Sequence, residues 1–138
     1  AGNLARDLND WQQTAVSFFQ YLERTADLYA QEEDDGSKAL ILKIVGDFEK
    51  MTSALGLQRI VPAADDIMSD RIHQCVDEQV SSEVTPGNVL YCQRWGYLRK
   101  GELFDPNSRA RVTLARQPEQ EPFQEENIQA VDYGPARN

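Results

Sequence analysis

Histidine occurs once and cysteine twice in these 138 residues, and those scarcities remove most metal and thiol chemistry at the outset. A structural zinc site wants two close pairs of Cys or His ligands, whereas His73 and Cys75 form one pair with Cys92 well downstream. Two cysteines are also too few for a secreted disulfide framework, so both are read as reduced thiols of a cytoplasmic protein. No apolar run approaches the roughly 20 residues of a bilayer span, and no basic segment leading into an apolar one marks an export signal. The chain starts with Ala1 rather than Met, which fits a trimmed N-terminus. There is no Gly-rich phosphate loop, Gly-x-Ser-x-Gly elbow or His-Glu-x-x-His pair, and the adjacent carboxylates Asp65 and Asp66 read as a solvated loop. Cations are outnumbered 14 to 23, for a net charge of −9, which argues against general affinity for nucleic acid. The expectation is a protein with no catalytic residue, metal or cofactor, and no nucleic-acid or membrane partner.

What is present is an ordinary soluble composition, 41% hydrophobic and 27% charged, in a chain long enough for one domain with appendages. From Asp10 to Tyr29 the residues Trp11, Ala15, Phe18, Leu22 and Tyr29 recur at three, four or seven positions, predicting an amphipathic helix with Asp10 as its cap. Acids at 32–35 and a left-handed Gly36 are expected to end it. Ser37 is then expected to cap a second helix, in which Ile41, Ile44, Phe48, Met51 and Leu55 repeat at three and four. Gly56 closes that helix. Both helices carry a second apolar set (Val16, Phe19 and Leu28; Leu40, Leu42 and Val45) that one partner helix cannot cover. Pairing with another copy into a dimeric four-helix bundle would cover it, with Trp11, Phe18, Leu22, Ile41, Ile44, Phe48, Met51 and Leu55 at the dimer interface; cover by the following β-region is the alternative.

After Gly56 the period shortens. Residues 57–61, 71–76 and 88–95 read as short strands, and Arg109 to Ala115 alternates with Ala110, Val112 and Leu114 on one face. The fold class expected is therefore α+β, with a helical dimerisation region at 1–56 and a small all-β domain at 57–115. Residues 116–138, rich in Gln, Glu and Pro, read as a disordered acidic tail. Within residues 94–111 five cations (Arg94, Arg99, Lys100, Arg109 and Arg111) face only Glu102 and Asp105, so a basic hairpin sits on an acidic protein. Trp95 and Tyr97 beside Arg94 have the composition of a protein-binding hot spot; packing into the small β-core is the other reading of both aromatics.

The stretch Pro86-Gly87-Asn88-Val89-Leu90, followed after five residues by Gly96-Tyr97, resembles the Pro-Gly-x-Val-x-x-Val-x-x-x-Gly-Tyr pattern of the GrpE family, the nucleotide exchange factors of bacterial Hsp70. Gly101 falls at that family's Asn-Gly turn, and Arg109-Ala110-Arg111-Val112-Thr113-Leu114-Ala115 is similar to its closing strand. Upstream, Leu55-Gly56-Leu57-Gln58-Arg59-Ile60 and Ile72-His73-Gln74-Cys75-Val76 resemble its helix exit and a strand, which makes His73 structural. The similarity runs from about Trp11 to Ala115. It implies a homodimer, normally preceded by a long paired helix, whose β-domain presses on the nucleotide-binding domain of Hsp70 and speeds ADP release. Gln93, Arg94, Trp95, Tyr97, Arg99, Lys100, Glu102 and Leu114 are then the expected partner-binding residues. Asp70 stands where the family has Pro, Lys100 replaces its turn Asn, Glu102 replaces an Arg that helps contact the chaperone, and residues 104–109 hold about three extra residues. These departures support an alternative, a protein of GrpE fold that binds another partner without exchange activity.

Overall fold

The computed structural model describes residues 2–118. Helix α1 (Gly2–Gln31) and helix α2 (Asp35–Ala54) form an antiparallel hairpin. Six strands follow: β1 (Leu57–Ile60), β2 (His73–Val80), β3 (Val89–Arg94), β4 (Gly96–Arg99), β5 (Glu102–Leu103) and β6 (Ala110–Arg116). The class is α+β, as the change of period at Gly56 implied. The acidic residues beyond 118 lie outside the described residues.

Helix α1 is longer than its apolar repeat suggested, at 30 residues or about 45 Å. No Gly or Pro interrupts residues 3–31, and Leu4 and Leu8 extend the spacing toward the N-terminus, so Asp10 lies inside the helix and does not cap it. The cap of α2 is likewise Asp34 and not Ser37: the Asp34 carboxylate accepts the Ser37 backbone N–H at 3.0 Å and the Ser37 hydroxyl at 2.8 Å. Those bonds to its charged form hold Asp34 below the usual carboxylate range. The left-handed residue of the turn is Glu33, φ +59°, while Gly36 belongs to the first turn of α2. Gly56, φ +92°, does end α2, and its carbonyl accepts the Lys100 N–H.

Two three-stranded sheets follow, ordered β1-β4-β5 and β2-β6-β3. The first is antiparallel; in the second β6 runs parallel to β2 and antiparallel to β3. Strands β4 and β5 form a hairpin that the sequence did not resolve. Lys100 and Gly101 take φ +52° and +82°, the paired positive angles of a type I′ turn, and Arg99 faces Glu102 across it. Strand β6 lies between β2 and β3, and Thr113 and Ala115 are buried along with Ala110 and Val112, so the expected one-sided alternation gives way to cover on both faces.

One core joins helices and strands. Ala15, Val16, Phe19 and Leu22 of α1, Val45 of α2, Leu57 of β1, Tyr97 of β4 and Phe104 form a continuous buried cluster, with Trp11, Ile41, Phe48 and Trp95 packed on it. The Phe19 and Tyr97 rings lie 5.8 Å apart, and Phe19 and Phe48 4.8 Å. The β-region thus covers Val16, Phe19 and Val45 of the second apolar set, while Leu28, Leu40 and Leu42 stay exposed. Arg59 of β1 clamps this arrangement to α2, donating from Nε and Nη2 to Glu49 Oε1 at 3.1 and 2.9 Å with both side chains largely buried.

Candidate functional site

The chain crosses from one sheet to the other at Trp95 and Gly96, between β3 and β4, and of the expected partner-binding residues Gln93, Arg94, Trp95 and Tyr97 lie at this corner. Gly96 is required there. A Cβ at this position would lie 2.4 Å from the Ala110 nitrogen and 2.6 Å from the Ser108 carbonyl oxygen. That approach lets Tyr97 N–H donate to Ser108 O at 2.8 Å and seats the corner against the start of β6.

Helix α1 holds the corner from below. The Trp95 N–H donates to Glu23 Oε2 at 3.0 Å, and Arg94 Nη1 donates to Asp27 Oδ2 at 3.0 Å, one helical turn further on. Glu23 is 7% exposed, and its burial raises its pKa against the opposing pull of the Trp95 N–H and the Arg94 charge. The Arg59 guanidinium lies over the Trp95 ring, 4.3 Å from its centroid, so Trp95 is held as a half-buried, cation-backed aromatic. Gln93 is held from the side by donating to Thr113 Oγ1 at 2.6 Å.

The other expected residues divide between surface and support. Tyr97 is 2% exposed and belongs to the core; its hydroxyl finds no protein partner among the described residues, and burial raises its pKa. Arg99 turns back to α1, donating to Asn9 Oδ1 at 2.7 Å and lying 4.9 Å over the Phe104 ring. Lys100 and Glu102 are exposed at the hairpin tip, and Leu114 is half-buried on the other sheet. The structure therefore brings Gln93, Arg94 and Trp95 together, places Arg99, Lys100 and Glu102 at the far end of β4, and leaves Leu114 apart from both. The extra residues at 104–109 contribute to the fold: Phe104 is buried, and Asp105 Oδ1 accepts from Asn107 N–H and from the Ser108 hydroxyl.

Of the residues expected at a dimer interface, Leu22 is 4% exposed and already covered within its own chain, and Trp11, Ile41 and Phe48 are half-buried on the same core. Phe18, Ile44, Met51 and Leu55 remain 40 to 51% exposed. His73 is buried and accepts the Ser69 N–H at Nδ1, and its burial lowers its pKa. The Cys92 thiol is pushed up to about 11 by burial and by Glu23, whereas Cys75 is exposed. No three potential metal ligands converge among the described residues, and no helix there is long and apolar enough to cross a membrane.

Sequence reasoning missed Glu23, Asp27 and Arg59, which fix the corner, since nothing in the spacing of α1 or β1 relates them to Trp95. It also missed Arg24, which shares a hollow of about 290 Å³ with Glu23, Arg94, Trp95, Arg109 and Arg111. The cation-rich run at 94–111 was the only available signal for that hollow.

No family model matches the chain. It is 43% identical over 51 residues to Protein GrpE of two Caulobacter vibrioides strains, NA1000 / CB15N and ATCC 19089 / CIP 103742 / CB 15. The matched stretch is 37% of this chain and about a quarter, 24%, of the length of each of those relatives.

Proposed function

We propose that the chain is a divergent GrpE-family co-chaperone that accelerates ADP release from an Hsp70. The observation that carries this reading is the 43% identity over 51 residues to Protein GrpE, on a chain whose helical hairpin and small sheets follow the order the family resemblance implies. The mechanism is allosteric. A β-region that binds the open nucleotide cleft better than the closed one shifts the population toward open, and nucleotide leaves faster. By linkage, nucleotide weakens factor binding by the same free energy, so arriving ATP ejects the factor.

On this reading the exposed parts of Arg94, Lys100 and Glu102 make contact, while Tyr97, Arg99, Glu23 and Arg59 keep that surface in place. The protein works in the cytoplasm as a homodimer, and Phe18, Ile44, Met51 and Leu55 supply the apolar surface that a second copy covers. A second reading, a GrpE-fold interaction protein without exchange activity, is favoured by one feature: Arg94 and Arg99 are both engaged by α1, and the hairpin tip carries an exposed Glu102.

The test is the release rate of a fluorescent ADP analogue from the host's own Hsp70, with and without the protein. Acceleration is expected, reduced in an Arg94→Glu, Lys100→Glu variant. An unchanged release rate with the wild-type protein folded and dimeric would refute exchange activity and favour the second reading.

A further inference from the structure

Four arginines from three separate parts of the fold line one hollow: Arg24 from α1, Arg94 from the end of β3, and Arg109 and Arg111 from the entry into β6. The hollow has a volume of about 290 Å³, and Trp95, Gln20 and Asn107 complete its wall. In a chain where acids outnumber bases 23 to 14, cations should easily find carboxylates. Among the described residues Arg94 does, at Asp27, but Arg24, Arg109 and Arg111 have no carboxylate within 4.0 Å. Arg109 spends one nitrogen on the Asp70 carbonyl at 3.1 Å. Among the described residues Glu23 is the single carboxylate in the wall, and its Oε2 already accepts the Trp95 N–H. Four arginines against Glu23 and Asp27, the ion-pair partner of Arg94, leave a surplus of two positive charges.

Holding like charges together without compensation costs stability, and guanidinium groups are the side chains best matched to planar or tetrahedral oxyanions because each offers parallel N–H donors. Such a concentration of cations on a protein of net charge −9 makes a local potential opposite to the overall field. We infer that this hollow is a binding site for a small oxyanion of two or more negative charges, the chemistry of a phosphoryl or diphosphoryl group. Arg24 and Arg111, whose side chains make no hydrogen bond among the described residues, make the main contacts, and Arg94 and Arg109 complete the site. The inference is independent of any chaperone partner, and its test contains none.

The experiment is calorimetric titration of the full-length protein with inorganic pyrophosphate, and separately with ADP, in low-salt buffer without divalent cations. Saturable binding at one site per chain is expected, weakening as chloride is raised because exposed charges are screened. Comparable affinity for the two ligands assigns the site to phosphoryl groups alone; tighter ADP binding extends it to nucleotides, with Trp95 beside the base. Arg24→Gln and Arg111→Gln should each weaken binding by about tenfold, the loss of one charge-assisted contact, whereas Lys43→Gln, on the exposed face of α2, should leave it unchanged. Circular dichroism of each variant establishes that it is folded. Absence of saturable binding, or equal binding by the Arg24→Gln, Arg111→Gln double variant, overturns the inference.

Discussion

Replacing Gly96 by Ala adds one methyl group, and the structure sets the size of the response. The new carbon would lie 2.4 Å from Ala110 N, 2.6 Å from Ser108 O and 2.9 Å from Arg109 C. Ordinary contact is about 3.5 Å or more, so a displacement of about 1 Å is required. The obstructing atoms are all backbone and cannot rotate aside. They are anchored by Tyr97 N–H to Ser108 O at 2.8 Å and Ala110 N–H to Ile72 O at 2.9 Å. Overpacking costs about 1–3 kcal/mol, and weakening one or two buried hydrogen bonds adds about 1 kcal/mol each. The sum, about 2–5 kcal/mol, is a large part of the roughly 5–15 kcal/mol that stabilises a domain. Urea unfolding at fixed protein concentration, followed by circular dichroism and tryptophan fluorescence, measures it. Trp95 emission in the folded variant should move to the red as the corner separates from Glu23. Gly46→Ala supplies the contrast: it lies in α2 with no neighbouring atom within 4 Å of an added Cβ, and should stabilise by about 0.5–1 kcal/mol through helix propensity. A Gly96→Ala protein within about 0.5 kcal/mol of wild type would refute the close-approach argument.

Two further predictions concern ionisable groups. The Glu23 pKa is raised by burial above its ordinary 4.5, so the folded chain holds this proton more tightly than the unfolded one, and the group's contribution to stability falls as pH rises above 4.5 through the raised value. Glu23→Gln keeps an acceptor for the Trp95 N–H and removes that slope, so its urea midpoint should gain on wild type between pH 4.5 and neutrality; parallel pH profiles would show that Glu23 does not titrate abnormally. Cys75 is exposed and Cys92 is pushed up to about 11, so a thiol reagent at pH 8 should modify one cysteine per folded chain rapidly and the second only on unfolding. Loss of the fast phase in Cys75→Ser identifies it, and a persistent fast phase there would contradict the raised pKa of the half-buried Cys92.

Periodicity was enough for the α+β class, because a helical stripe at three and four and short alternating strands are properties of neighbouring residues. The stop at Gly56 and most strand positions follow from the same local chemistry. Capping was less legible: Asp34 and Ser37 both suit an N-cap, and only the path of the turn through left-handed Glu33 decides between them. The placement of aromatics was not local at all. Gly96-Tyr97 reads the same whether Tyr97 meets solvent or Phe19, and it is α1, more than seventy residues earlier, that buries Tyr97 and leaves Trp95 half covered beneath Arg59. Likewise the sequence marks residues 94–111 as cation-rich, but the convergence of Arg24 with Arg94, Arg109 and Arg111 depends on how a helix crosses the start of β6. The chain determines which stretches bury a face; only the tertiary structure decides which distant charges share a hollow, because that proximity arises from packing between elements and leaves no period to read.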